Sequence, residues 1–230
     1  MTDERLALLR ELERADGTVG AELEELDELY ASVAEVRGRA VDLQELFARL
    51  PEEREAAAEA VQESEEALAD AQESLRRAEE ELAASEAAGD AERIAAARRF
   101  EVRARDHLHI AERKADSARE HASELEAWAQ AGRRETAELE GRARELTAAL
   151  EERPGLADAA GGPGMGPEGV AEWGTQARAA LLVARSQLAA ERDAVVRQAN
   201  ELGTVLLGEA IPPTSAAAVT RRVERELEDG

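Results

Sequence analysis

The chain has 230 residues, 35% of them charged and only 2% aromatic, with a formal net charge of −23 and no Cys. Ala, Glu, Arg and Leu dominate, the profile of long helices rather than of a broad globular core. Disulfides and thiolate metal sites are excluded, and net acidity works against binding to phosphate backbones or anionic lipid surfaces while favouring basic partners.

A first short helix is expected over residues 1–16. Thr2 is placed to cap it, Leu6, Leu9 and Leu12 form its apolar edge, and Asp16-Gly17 reads as its stop. The N-terminal stretch is charged from the start and lacks an apolar signal core. No apolar run approaches the roughly 20 residues needed to cross a bilayer. A soluble, cytoplasmic protein is expected.

From residue 20 the pattern becomes a heptad. Leu26, Val33, Ala40 and Phe47 occupy position a, and Leu29, Val36, Leu43 and Leu50 occupy position d. The count continues in phase through Val61, Leu68, Leu75 and Leu82 at a and Ala57, Ala71 and Ala78 at d, with Arg54 the one charged misfit. Nine heptads in one phase predict a coiled-coil seam. Pro51 falls inside this run, and the unbroken phase favours a kinked helix over two separate ones.

At residues 88–90 the phase breaks. Gly89 suits a left-handed helix end and Asp90 suits the next cap. A second stripe follows, with Ile94, Leu108, Ala115 and Ala129 at a and Ala97, Ala104, Ala111, Leu125, Leu139 and Leu146 at d, interrupted by Glu101. Folding the chain between Gly89 and Asp90 sets Leu82 against Ala97, Leu75 against Ala104, Leu50 against Ala129 and Phe47 against Gly132. Large faces small through most layers, as close packing requires. The prediction is an all-α protein: a long antiparallel coiled-coil hairpin over 20–152, with helices at about 20–87 and 90–152. Each arm is about 90 Å long at 1.5 Å per residue.

Residues 153–169 read as a Gly/Pro-rich loop. A third helix is expected over 170–207, with Ala177, Leu181, Leu188, Val195, Leu202 and Leu206 on its apolar stripe and Gly208 at its end. A short terminal helix at 214–229 carries Val219, Val223 and Leu227 on one face. The third helix needs a partner for its stripe, so it is expected to pack on the base of the hairpin and to run back along it past Trp128 and His121. Asn200, the single Asn of the chain, reads as a register-fixing amide.

No catalytic or cofactor chemistry is visible. Gly161–Gly166 lacks the Lys-Ser/Thr of a phosphate loop. Asp106-x-x-His109 stands alone where di-iron bundles use paired Glu-x-x-His elements. With no Cys and no Ser on a strand-to-helix elbow, nucleophilic catalysis finds no support. No metal or cofactor is expected, and the protein reads as a non-enzyme.

The informative stripe is position g of the second arm: Phe100, His107, Lys114, His121 and Trp128. The facing g positions of the first arm are small, including Ala60, Ala67 and Ser74, which predicts a shallow trench beside the seam. Trp128 is expected to be covered by the third helix. Phe100, His107 and Lys114 are the candidate partner-binding residues. Elsewhere Arg is interleaved with Glu, which leaves no basic patch.

The short first helix, long hairpin, small-residue tip at Ala88-Gly89-Asp90 and following helices resemble in layout the phage-shock protein A family of membrane-remodelling hairpins. That resemblance implies a membrane-associated role. The departure is the acidic Thr2–Ala15 segment, where that family binds anionic membrane. Arms of chromosome-segregation ATPases look similar, without the ATPase head here. The leading expectation is a coiled-coil scaffold that docks partner helices or self-associates. The alternatives are a remodelling hairpin and an acidic sequestering factor for a basic protein.

Overall fold

A computed structural model describes residues 2–153, 155–156, 161–212 and 214–229, apart from the side chains of residues 2, 228 and 229. The described residues form four helices: α1 (Thr2–Ala88), α2 (Ala91–Glu151), α3 (Gly166–Leu207) and α4 (Ala216–Asp229). The protein is all-α, an antiparallel hairpin of α1 and α2 with α3 packed on it. Every predicted a and d residue from Leu26 to Ser85, and from Ile94 to Leu150, is buried or half-buried. A period of 3.5 residues therefore selected the seam, as expected when one narrow stripe of each helix faces its neighbour.

The turn forms at Gly89. Its φ of 72° is left-handed, and its amide reaches the carbonyls of Ser85 and Glu86. Glycine accepts this conformation without a Cβ clash. Asp90 then caps α2, its Oδ1 accepting the amides of Glu92 at 3.1 Å and Arg93 at 3.2 Å.

The chain divides into two compact units, one of Met1–Asp42 with Thr136–Gly230 and the other of Leu43–Glu135. In the first unit α3 lies antiparallel to α1. A Cβ on Gly174 would sit 2.7 Å from Cβ of Arg37, so only glycine permits this approach. Arg178 hydrogen-bonds the Tyr30 hydroxyl, Arg185 pairs with Asp27, and Arg192 pairs with Asp16. Leu9, Ala199, Ala216, Val219 and Val223 close a core between the start of α1, the end of α3 and α4. Gly208, with φ 73°, ends α3 and bonds the carbonyl of Thr204.

Several expectations are corrected. The helix expected to stop at Asp16-Gly17 continues, so the N-terminal segment is part of α1. Asp16 is buried, and its carboxylate is occupied by Arg192 Nε at 2.8 Å and the Ala216 amide at 3.1 Å. It thus satisfies the open first turn of α4 rather than ending its own helix. The expectation of one helix through Pro51 holds: α1 is unbroken there, and Pro51 lies exposed within it. α3 begins at Gly166, four residues inside the expected loop. Pro167 stands in its first turn, and Glu140 Oε1 accepts the Gly166 amide at 2.7 Å. Of the expected loop, residues 154 and 157–160 lie outside the described set, as do the Thr2 side chain and Pro213. Leu227, expected on the apolar face of α4, is exposed. α3 starts beside Arg37 and proceeds toward Leu9, the reverse of the course expected past Trp128.

Candidate functional site

The Leu43–Glu135 unit is a two-helix pair whose interior is mostly alanine. Ala57, Ala71, Ala78, Ala97, Ala104, Ala111, Ala115 and Ala129 are buried, while Leu43, Leu50 and Leu125 are its buried leucines. Phe47 lies over Gly132: a Cβ there would meet Phe47 Cζ at 3.0 Å. Leu50, Ala57, Leu125 and Ala129 pack with Phe47 and Ala122 in one cluster. These contacts reproduce the register obtained by folding the sequence at Gly89-Asp90. The two charged misfits are answered locally. Arg54 pairs with Glu126 at 2.5 Å, and Glu101 pairs with Arg105 one turn on.

The two flanks of this seam differ. Along the e flank, Arg98 pairs with Glu86 at 3.2 Å and Arg119 with Glu65 at 2.9 Å, tying α2 to α1. On the g flank, Phe100, His107, Lys114 and His121 make no such pair to α1 among the described residues. A shallow groove lies there instead, lined by Ala60, Glu63 and Ala67 on α1 and by Lys114, Ser117 and His121 on α2. The trench expected from the sequence is present where small residues face long ones.

Phe100, His107 and Lys114 are all exposed on one face of α2, successive members about 10 Å apart along the axis. Lys114 enters the groove with His121, and Phe100 and His107 continue the stripe toward the tip. Phe100 is 43% exposed and Trp128 53%. The expectation that α3 covers Trp128 is therefore overturned, since α3 packs along α1 between Arg37 and Leu9. Val102 at 53% and Ile110 at 45% exposure add apolar surface that the sequence reading passed over.

A second feature was missed. The interleaving of Arg and Glu holds over the whole chain but not arm by arm. From Glu52 to Glu86, α1 carries thirteen Asp and Glu against three Arg. From Arg93 to Lys114, α2 carries seven Arg and Lys against three acids. Arg99, Arg103, Arg113 and Lys114 have no ion pair among the described residues. A charge count per arm would have found this. On α1, Arg76 and Arg77 are absorbed by Glu73, whose carboxyl their hydrogen bonds hold down at about 2.

Among the described residues no group of three or more His, Asp or Glu is placed to hold a metal, and His109 contacts only Glu112, at 3.4 Å. No described helix is long and apolar enough to cross a membrane. Compared with protein-family models, curated proteins and solved structures, the chain matches none.

Proposed function

We propose that the protein is a non-enzymatic interaction module, a coiled-coil scaffold that docks a helical surface along the outward g face of α2. One observation carries this reading: Phe100, Ile110 and Trp128 stand exposed on a helix that also presents Arg99, Arg103, Arg113 and Lys114 without ion pairs. In a chain with 2% aromatics, two large rings left in water on one face have their use outside the fold. The cysteine-free composition is consistent with a cytoplasmic setting.

The test is the double variant Phe100→Ala/Trp128→Ala. Surface substitutions shift stability by about 0.5 kcal/mol or less, whereas burying one Phe at an interface contributes about 1.5–3 kcal/mol. Thermal unfolding followed by circular dichroism should superimpose on that of the parent protein. Complexes formed by the purified chain, with itself or with proteins of its host, should weaken by about one to two orders of magnitude per ring. Loss of several kcal/mol of stability in the dilute variant would show that these rings are core and end the reading.

A further inference from the structure

The face that carries the stripe is self-complementary, and we infer that its occupant is a second copy of this chain. The inference rests on the docking role proposed above and supplies the partner. Positions c and g of α1 present Ala56, Ala60, Glu63, Ala67 and Asp70, which are small or acidic. Positions c and g of α2 present Phe100, Arg103, His107, Ile110 and Lys114, which are large and apolar or cationic. Over these stretches, residues 56–70 of α1 and 100–114 of α2, one half of the face is thus the complement of the other in both size and charge. An isologous dimer demands this property, because each contact occurs twice with the roles exchanged.

The arrangement of the charges selects the symmetry axis. A two-fold axis parallel to the hairpin lays α2 of each copy on α1 of the other, with both tips at the same end. With the hairpin register fixed by Phe47 over Gly132, Ile110 then sits at the level of Ala67 of the second copy. Lys114 comes beside Glu63, and His107 beside Asp70. A two-fold axis across the helices instead lays α1 on α1, acid on acid, and like charges in contact are strongly disfavoured. The size also fits. From Phe100 to Trp128 the stripe runs about 42 Å at 1.5 Å per residue, and two helices side by side are about 20 Å wide. That face is on the order of 800 Å², what a standard interface buries on each partner.

The dimer is tested by sedimentation equilibrium of the full chain across a concentration series. The unmodified protein should show a monomer–dimer equilibrium. Lys114→Glu, which sets acid against Glu63 at two symmetric places, should weaken it by about tenfold or more, and adding Glu63→Lys should restore it. The chain has no Cys, so chains carrying Ala67→Cys and Ile110→Cys can be mixed and oxidised. Disulfides should join unlike chains. Predominant Ala67→Cys homodimers would overturn the parallel axis. A protein that stays monomeric at every concentration would overturn the dimer. If Phe100→Ala/Trp128→Ala then still abolishes binding to another protein, the docking role stands without self-association. If it abolishes nothing, both fall.

Discussion

The two units of this protein solve the burial problem with different materials. In the unit of Met1–Asp42 and Thr136–Gly230, α1, α2, α3 and α4 enclose large side chains, among them Leu9, Val33, Val36, Leu150, Trp173, Leu181, Val219 and Val223. In the Leu43–Glu135 unit two helices meet over a seam of alanines, and the large apolar groups Phe100, Ile110 and Trp128 lie outside it. Hydrophobic stabilisation follows apolar area removed from water, so the first unit carries most of it. The second unit fully buries few large side chains, Leu43, Leu50 and Leu125 among them, and leaves three of its largest on the surface. The same sequence style, rich in Ala, Glu and Arg, thus forms a packed bundle in one region and an open two-helix pair with an exposed apolar stripe in the other.

The sharpest way to break this contrast is to attack the first core. Trp173 is 2% exposed, beside the close approach of Gly174 to Arg37. Trp173→Ala should cost about 3–5 kcal/mol, read by urea unfolding. An effect no larger than that of a surface substitution would remove the distinction. In the second unit the layer of Phe47 on Gly132 sets the scale. Phe47 is only half-buried, so Phe47→Ala should cost about 2 kcal/mol, near the low end for a buried ring. Gly132→Ala should be nearly neutral in the parent, because its Cβ would crowd Phe47 Cζ at 3.0 Å. In the Phe47→Ala background the same change should stabilise by about 1 kcal/mol, the helix preference of Ala over Gly. A double-mutant cycle without this coupling would refute the register.

The smallest effect is electrostatic. Arg76 and Arg77 hold the Glu73 carboxyl at about 2, below its ordinary 4.5. Its ionised form is therefore favoured in the folded helix, a contribution present above about 4.5 and lost as pH falls toward about 2. Carboxyl NMR titration should find Glu73 still ionised at pH 3.5, with global stability hardly changed because the site is exposed. A Glu73 midpoint near 4.5 would show that the arginines are free to pair elsewhere.

The seam of the hairpin was legible in the sequence because a heptad phase is local, repeated and tolerant of single misfits such as Arg54. The tip was legible because Gly89 and Asp90 act within one turn of themselves. What the sequence hid depends on distant groups. Asp16-Gly17 has the chemistry of a helix stop, but the Asp16 carboxylate is claimed by Arg192 and the Ala216 amide from far along the chain. The course of α3 was misread because periodicity gives a stripe but no direction, and the close approach at Gly174 is invisible until Arg37 is beside it. Trp173 offered a signal, one of two Trp directly before a Gly, that the reading did not use. The candidate site was half visible: the g stripe and its trench followed from spacing. The exposure of Trp128 depended on where α3 went, and the opposite charge of the two arms was averaged away.

Amide hydrogen exchange, measured at two protein concentrations, tests the contrast between the units most directly. Backbone amides between Phe100 and Trp128 should exchange faster than those between Leu139 and Leu150 in dilute solution, because fewer large side chains must be uncovered to open them. Raising the concentration should slow the first set and leave the second unchanged, as a second copy binds the folded face. Equal protection in both stretches, with no dependence on concentration, would contradict that contrast.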